Sequence, residues 1–351
     1  MELLFLDFKT LSYKDNAIVG EDFEIVLDSV VYQKSKFTVN KVGINAEIGD
    51  IVILRGVSFS FIGILDTMTV EKDIKTEVEV NDFGSLFDLD VLVSSYSGNL
   101  CTFLSNLIKA TYKNNSDSKQ NLSYLSVYVY ASITGSLTYD GSELANLSDL
   151  SETLAKSYGI RYTYSLVYSG GKITGIDVNI GAVTKGLVIK HNLPVITDLK
   201  IADSKKQITN KIVFYPKDDN TSYKSAVSYF LLTDGTLTTN SYSDKRYPYV
   251  KLVSEFYSDS DYSTLLTKAQ SELLKSNLEH SIEFDLSVDN DIIVPFQNFN
   301  LGDFVEFVGE SKTYETMVTQ LSFKNGFYSC SVVLGEYRVK LTDKIKLLQR
   351  R

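Results

Sequence analysis

The chain has 351 residues but no tryptophan, and it contains only two histidines, two cysteines and four prolines. Cys101 and Cys330 lie far apart and show no CxxC spacing, so the sequence predicts two small buried hydrophobic residues and no disulfide framework. His191 and His280 occur in neither an HExxH nor an HxH context. A zinc site and a Ser-His-Asp triad are therefore poorly supported. Both histidines are interpreted as ordinary surface or strand-edge residues.

Nucleotide-binding and hydrolase motifs are also missing. The sequence has no Walker loop, no GxGxxG fingerprint and no GxSxG elbow. A glycosidase needs only two carboxylates, and with 44 Asp and Glu residues that class stays open. The sequence predicts no catalytic, cofactor-binding or metal-binding residue, no cofactor, and a protein that is not an enzyme.

Long apolar runs are absent as well. No stretch approaches the ~18 residues of a membrane helix. The N-terminal segment MELLFLDFKTLSYKD lacks the basic region and the apolar length of a secretion signal. These features predict a protein made and assembled in a cytoplasm, without a membrane-spanning segment.

Acidic residues outnumber basic ones, 44 to 35, so the formal net charge is −9. A protein that grips nucleic acid through phosphates normally has a basic face. The exception is the last fourteen residues, interpreted as a solvated cationic end of a short helix rather than a nucleic-acid site. Its basic residues are Arg338, Lys340, Lys344, Lys346, Arg350 and Arg351.

What the chain does contain favours β-structure. Its 23 tyrosines and 19 phenylalanines, with short runs of Val, Ile and Thr, suit half-buried pleated surfaces. The length suggests two or three domains at ~100–200 residues each. The first 95 residues predict a β-barrel module built from five short strands, at Phe23 to Tyr32, Lys36 to Val42, Ile51 to Gly56, Ser58 to Leu65 and Thr76 to Phe83.

One pattern occurs twice. IGDIVILRG (Ile48 to Gly56) is matched by LGDFVEFVG (Leu301 to Gly309), and the ungapped alignment continues to Val80 and Val333. The alternative is that the match arose by chance, because any two amphipathic strands share an alternation of apolar and polar residues. The aligned pairs include Gly49 and Gly302, Asp50 and Asp303, Ile64 and Met317, Leu65 and Val318, Met68 and Leu321, Val70 and Phe323, and Ile74 and Phe327.

The repeated Gly-Asp pair is interpreted as a turn at a strand entry. Glycine supplies positive φ, and aspartate accepts hydrogen bonds from backbone amides, here expected further along the chain. The alternative, a pair of catalytic or metal-binding aspartates, is disfavoured because no histidine or second acid lies nearby at useful spacing.

Residues 96–190 predict an α+β middle domain. Helices are expected from Asn99 to Tyr112 and from Leu147 to Tyr158, the second with Ser148 as N-cap and Gly159 beyond its end. A hairpin is expected around Ser169–Gly170–Gly171.

The rest of the chain predicts a second, interrupted barrel. Residues 191–216 are expected to supply its first strands, including KIVFYP, which Pro216 ends. Residues 217–279 form an insertion, with a hairpin around Asp234–Gly235 and a helix from Tyr262 to Leu278, that belongs to the middle region. Residues 280–337 complete the barrel from a strand at His280 to Val288, and residues 338–351 form the basic helix or tail. The predicted fold class is mainly β with an α+β middle region and two similar antiparallel β-barrel modules per chain.

The C-terminal series SELLKSN, SIEFDLSV, NFNLGDFVEF, TMVTQLSF and CSVVLGEYRVKLTDKIK resembles the baseplate or tail-tip hub proteins of tailed bacteriophages, also called tail-associated proteins. The resemblance extends loosely over the whole chain. It implies two similar barrels per chain and a homotrimer whose six barrels form a pseudo-hexameric ring. The repeat leads to the same number of modules, since three chains with two modules each make six.

The leading hypothesis is a structural hub of a phage tail baseplate, located in the virion and assembled in the host bacterial cytoplasm. The resemblance implies tail-tube proteins above it, receptor-binding or tip proteins around it, and DNA that only passes through a channel closed before infection. Many family members carry a C-terminal lytic or fibre extension, and this chain stops at Arg351. The alternatives are a carbohydrate-binding adhesin that contacts the host surface and, more weakly, a wall-degrading hydrolase.

Overall fold

The computed structural model describes residues 1–29, 33–57, 59–71, 74–203, 209–217, 225–233, 236–246, 252–274, 280–287, 290–324 and 328–335. The chain forms two compact units. The described residues of the first unit lie within 1–199 and 283–333, and those of the second lie within 200–282 and 334–335.

The chain begins with a closed barrel of six antiparallel strands. Its spatial order is β1-β4-β5-β6-β3-β2, and β2 pairs with β1 to complete the ring. Closure leaves the barrel without an edge along most of its circumference. The strands are β1 Glu2–Leu6, β2 Tyr13–Asp28, β3 Lys34–Val39, β4 Ile51–Arg55, β5 Phe61–Glu71 and β6 Lys75–Asp82.

Alternation of side chains along these strands fills the barrel. In β6, every second residue from Thr76 to Val80 is buried, and Phe37 of β3 meets Phe61 of β5 edge-on with ring centroids 5.6 Å apart. The first strand was not predicted. Its sequence shows no strand alternation, yet four of its five residues are buried. β2 also starts ten residues earlier than predicted, because only Ala17 and Val19 are buried among residues 13–22 and the polar residues on either side of them hide the apolar alternation.

The middle region follows a 3-10 helix, Phe83–Phe87, and combines two helices, a three-stranded sheet and a two-stranded ribbon. The ribbon pairs β7 with β9, and the sheet has the order β10-β11-β8 with β8 parallel to β11. One apolar core joins these elements to one side of the barrel. The elements are β7 Asp90–Asn99, α1 Leu100–Tyr112, β8 Leu125–Val129, β9 Thr134–Asn146, α2 Leu147–Tyr158, β10 Ile160–Ser169 and β11 Lys172–Ala182.

The predicted helices and hairpin are present here, with one correction. The N-cap of α2 is Asn146 and not Ser148, because the Asn146 side chain accepts hydrogen bonds from the backbone N–H groups of Ser148 and Asp149. Gly159 ends the helix in the left-handed conformation, with φ of 64°. The β10–β11 hairpin turns between Ser169 and Lys172, as expected.

Two strands, β12 Leu187–Lys190 and β13 Ile196–Asp203, precede a four-stranded sheet with the order β16-β15-β14-β17. KIVFYP is the strand β14 and ends at Pro216, but it belongs to this sheet and not to the barrel strands where residues 191–216 were placed. β14 instead pairs with β15 and β17, and its apolar side chains pack on α3 in a separate small core. The elements are β14 Lys211–Pro216, β15 Val227–Leu231, β16 Leu237–Thr238, β17 Leu252–Tyr257 and α3 Leu265–Leu274.

The helix predicted from Tyr262 to Leu278 begins as a 3-10 helix, Asp259–Thr264, and becomes α-helical only at Leu265. Residues 275–279, the predicted turn Asp234–Gly235 and the basic segment 338–351 lie outside the described residues.

The last strands complete a second module with the strand order of the first. In sequence order its six strands are β12, β13, β18, β19, β20 and β21, and in space they follow β12-β19-β20-β21-β18-β13. Numbered within each module, both orders read 1-4-5-6-3-2, which supports duplication over chance. The strands not yet given are β18 His280–Ser287, β19 Phe304–Val308, β20 Thr313–Lys324 and β21 Ser329–Gly335.

The predicted fold class is confirmed. Within the second module one pair, β12 with β19, is parallel, and among the described residues β12 and β13 do not pair with each other. Whether the six predicted segments are domains in their own right stays a prediction.

The structure confirms the prediction for the two cysteines and corrects the one for His280. Cys101 and Cys330 are buried and free, as predicted, and burial raises the pKa of both thiols. His280 is buried rather than superficial, since it is only 6% exposed. Its surroundings require a glycine at Gly335, where an added Cβ would lie 2.1 Å from the His280 carbonyl oxygen. None of the helices in the described segments has both the length and the hydropathy needed to cross a membrane.

Candidate functional site

The first Gly-Asp turn leads into β4. Gly49 has φ of 97°, a conformation that side chains with a Cβ disfavour. Its N–H donates to the Leu65 carbonyl at 2.8 Å, and the Leu65 N–H donates back to the Asp50 carbonyl at 2.8 Å. The Asp50 carboxylate accepts the backbone N–H of Glu47 at 2.7 Å. The turn therefore fixes the start of β4 against β5.

The second turn has the same geometry at the start of β19. Gly302 has φ of 82°, and its N–H donates to the Val318 carbonyl at 2.8 Å. The Val318 N–H donates to the Asp303 carbonyl at 2.9 Å, and the Asp303 carboxylate accepts the N–H of Asn300 at 2.7 Å. Every donor and acceptor occupies the aligned position of the repeat.

This agreement supports the interpretation of both pairs as turns, with one correction. The aspartates bond to amides three residues before them, at Glu47 and Asn300, and not to amides further along. The reason is that the chain folds back over the turn before the strand begins, so the preceding amides point at the carboxylate.

Both carboxylates are buried, Asp50 at 4% and Asp303 at 2% exposed, so each needs a cation. Lys14 of β2 reaches Asp50 with its Nζ 2.9 Å from Oδ2. The hydrogen bond to Asp50 raises the pKa of Lys14. Arg161 of β10 reaches Asp303 with Nη1 2.5 Å from Oδ1. The first module supplies its own cation, whereas the second receives one from the middle region.

Arg161 also clamps the neighbouring backbone. Its guanidinium donates to the Leu301 carbonyl at 3.1 Å, and the Asp303 carboxylate accepts the N–H of Thr184 at 3.0 Å. The Phe304 N–H donates to the Thr184 carbonyl at 3.0 Å. No local pattern predicts the roles of Lys14 and Arg161, because neither residue is near its aspartate along the chain.

A cavity of about 400 Å³ lies beside Arg161 within the first unit. Its wall combines carboxylates from Asp28, Asp82 and Glu152 with the rings of Tyr164 and Phe296. Burial raises the pKa of Asp82 to about 6, although its carboxylate accepts the Gly84 N–H at 2.7 Å. A cavity of this size is large enough for a small ligand or a partner side chain.

The two modules meet through a strand pair and an aromatic stack. Residues 24–28 of β2 pair antiparallel with residues 320–324 of β20. Beside this junction Phe59 stacks on Phe296 at 4.5 Å and on Phe323 at 5.1 Å between ring centroids. Phe296 adopts positive φ, 65°, which is unusual for an aromatic residue and is held by the Phe296 N–H bond to the Phe299 carbonyl.

The carboxylates of Asp50 and Asp303 each accept a hydrogen bond from a backbone amide and pair with a cationic side chain. Across the described parts of the chain, no three His, Cys, Asp or Glu side chains are grouped closely enough to hold a metal ion. The arrangement of the turns is that of a structural element that fixes strands.

No family model matches the sequence, and no curated protein matches it. Solved structures do resemble the fold. The prophage tail protein gp18 from Listeria monocytogenes EGD-e matches 100% of this chain and 99% of its own, with 12% identity and a TM-score of 0.56. The 43 kDa tail protein of prophage MuSo2 from Shewanella oneidensis matches 96% and 98% of the two chains, with 11% identity and a TM-score of 0.54.

A third similar structure is a chain of the phage P2 baseplate in its activated conformation. It matches 97% of this chain and 100% of its own, with 12% identity and a TM-score of 0.53. At these identities the likeness concerns the fold, and it extends over both modules and the middle region. The chain therefore has the fold of phage tail and baseplate proteins, as the resemblance in its sequence predicted.

Proposed function

We propose that the chain is a non-enzymatic structural hub of a phage tail baseplate, in which three copies form a ring of six barrel-like modules. The observation that carries the proposal is the strand order 1-4-5-6-3-2, which occurs twice in one chain. Two equivalent modules per chain let a trimer present pseudo-six-fold symmetry, and closed cyclic symmetry is the usual way such rings form.

The similar solved structures support this role, since they come from phage tails and a baseplate. The ring connects tail-tube proteins above to receptor-binding or tip proteins around it, and it closes the DNA channel before infection. A net charge of −9 suits a passage along which DNA slides without binding. The protein resides in the virion and assembles in the host cytoplasm.

The mass in solution tests the proposal. Native mass spectrometry and light scattering are expected to show three copies of the chain per particle, either alone or in a larger complex with tail-tube protein of the same phage. Electron micrographs of that species are expected to show three-fold particles with six lobes. A chain that stays monomeric both alone and with the tube protein contradicts the hub role.

One surface feature favours a second candidate, a carbohydrate-binding adhesin. Tyr128 and Tyr130 are 47% and 73% exposed, and their ring centroids are 6.4 Å apart. Neighbouring exposed aromatic rings suit stacking on sugars. Titration of host-wall polysaccharide against the wild type and Tyr130→Ala tests this candidate, which requires saturable binding that the variant loses. The hub role expects no direct binding by either protein.

A further inference from the structure

The junction between the two modules is the starting point. Strand 2 of the first module, β2, pairs at residues 24–28 with strand 5 of the second module, β20, at residues 320–324. Ile25 lies opposite Phe323, and the two side chains are 0% and 2% exposed. Lys324 forms an ion pair with Glu24 at 2.8 Å. The junction is thus a strand-to-strand contact with two buried apolar pairs, since Leu27 also lies opposite Leu321, and with one charge pair.

In the first module, one edge of the corresponding part of strand 5 has no strand neighbour among the described residues. The ungapped repeat aligns Met68 and Val70 with Leu321 and Phe323, which places residues 67–71 of β5 at the junction position. β4 pairs only with residues 61–64 of β5, so residues 67–71 have β6 on one side and, in the described segments, no strand on the other. Val70 is 52% exposed where its counterpart Phe323 is covered.

The corresponding strand 2 in the second module is also open. β13 is the terminal strand of its sheet, with β18 as its one strand neighbour among the described residues. Its sequence Leu199-Lys200-Ile201-Ala202 follows the pattern of Phe23-Glu24-Ile25-Val26 in β2. Ile201 is 40% exposed where the matching Ile25 is fully covered.

We infer that residues 67–71 of β5 in one copy pair antiparallel with β13 of a second copy, with Val70 opposite Ile201 and Glu71 opposite Lys200. This strand-edge interface deepens the proposed ring and rests on it. It repeats between copies the junction that already exists within the chain. Because different surfaces meet, the contact is head-to-tail and closes when three chains bring six modules around an axis.

The charges select the order of modules around the ring. Within the chain, strand 2 carries Glu24 and strand 5 carries Lys324; between copies, strand 2 carries Lys200 and strand 5 carries Glu71. A first module placed beside another first module would oppose Glu24 to Glu71, and two second modules would oppose Lys200 to Lys324. Like charges directly opposite destabilise a strand pair, so the modules alternate.

Cysteine cross-linking tests the register. Val70→Cys combined with Ile201→Cys, treated with mild oxidant or a short bis-maleimide, is expected to give covalent dimers and trimers on a denaturing gel. The native Cys101 and Cys330 are buried and do not compete. The matched control combines Val70→Cys with Leu144→Cys, since Leu144 is 73% exposed on β9, outside the interface. This control is expected to remain uncross-linked.

The outcomes separate the two proposals. A native trimer in which Val70→Cys and Ile201→Cys do not cross-link, or in which the control cross-links equally, overturns the interface and leaves the trimeric hub standing. A chain that is monomeric and gives no cross-link at any concentration removes both. Cross-linking confined to the designed pair supports the interface.

Charge exchange gives an independent readout. Glu71→Lys or Lys200→Glu alone is expected to weaken self-association about two- to fivefold per contact, and the double exchange is expected to restore it. Both side chains belong to open strand edges, so folding measured by circular dichroism stays unchanged. Equal loss in the single and double variants overturns the pairing of Glu71 with Lys200.

Discussion

The two modules share a strand order and a Gly-Asp turn, but they differ in how the turn is held. In the first module the cation for Asp50 is Lys14, which lies on a strand of the same barrel. In the second, the cation for Asp303 is Arg161, which lies on β10 of the middle region. The comparison shows that a repeated turn requires a cation at a fixed place and leaves open which part of the chain supplies it.

The modules also differ in closure. The first closes through its β1–β2 pair, and its strands 2 and 3 follow each other directly. In the second, β12 runs parallel to β19, and β14–β17 with α3 separate strand 2 from strand 3. The strands of the first module are therefore continuous in sequence, whereas those of the second are separated by an inserted sheet and helix.

The largest expected effect comes from removing Arg161. Arg161→Ala leaves the buried Asp303 carboxylate without its cation and is expected to lower the free energy of unfolding by about 3–5 kcal/mol. Lys14→Ala is expected to cost less, because Arg161 also donates to the Leu301 carbonyl and its side chain is slightly less exposed, at 16% against 20%. Urea unfolding of both variants measures the difference, with Arg161→Lys as a partial rescue. Equal losses would contradict the comparison.

The next effect depends on pH and concerns Asp82, two residues beyond the aligned Val80. The folded pKa, about 6, is above the ordinary value of 3.8, so the folded state binds more protons between these values. The contribution of Asp82 to the free energy of unfolding is therefore largest below pH 4. It falls by at most about 3 kcal/mol as pH rises through about 6.

Asp82→Asn keeps the acceptor for the Gly84 N–H and is expected to remove this pH slope. Thermal unfolding from pH 4 to 7 measures it. The position two residues beyond Val333 is Gly335, so the second module has no such group. A wild type whose stability is unchanged by Asp82→Asn at pH 7 would refute the prediction.

The repeated glycines should respond alike. Gly49→Ala and Gly302→Ala force a Cβ into positive φ and are each expected to cost about 1–2 kcal/mol. Steric contacts do not distinguish the two sites. Nothing lies within 4 Å of an added Cβ at Gly49, and an added Cβ at Gly302 meets only Arg161 Cδ, at 3.7 Å. Gly181→Ala, outside the positive-φ region, serves as the control and should cost little. Denaturant midpoints measure all three.

The smallest expected effect concerns Glu79, whose ion pairs distinguish the outer face of the first module from that of the second. The Lys36 hydrogen bond, with help from Lys34, lowers the pKa of Glu79 on β6 to about 2. Its stabilisation is present above pH 4.5 and is lost as pH falls toward 2. Lys36→Ala is expected to raise the Glu79 pKa and cost less than about 1 kcal/mol, because Lys36 is half exposed.

An NMR titration of the Glu79 carboxyl measures this shift, with Lys75→Ala, whose lysine pairs with Glu71, as the control. The aligned position in the second module is the fully buried Val332, so that position has no counterpart of the Glu79 ion pairs. An unchanged Glu79 titration in Lys36→Ala would assign the shift to another cause.

Much of the fold was predictable because the signals were local. The alternation in β3 to β6, the apolar periodicity of the helix after Asn99 and the helix end at Gly159 each depend on neighbours a few residues away. Where the local signal was ambiguous, prediction failed. Ser148 and Asn146 are both good N-caps, and only the backbone path selects Asn146.

The misplacement of β14 has a different cause. Its sequence is that of a buried strand in any sheet, and nothing in six residues says which neighbours it pairs with. β1 is not predicted because the four apolar residues after Glu2 have no periodicity that separates a barrel strand from other apolar segments.

The sequence by itself determined that two β-modules exist and that each enters a strand through a Gly-Asp turn, because turn chemistry and strand alternation act over a few residues. The tertiary structure decided which cation neutralises each aspartate and which copy of the repeated face is covered. Arg161 and Asp303, or Ile25 and Phe323, are distant along the chain, and only folding brings such groups into contact.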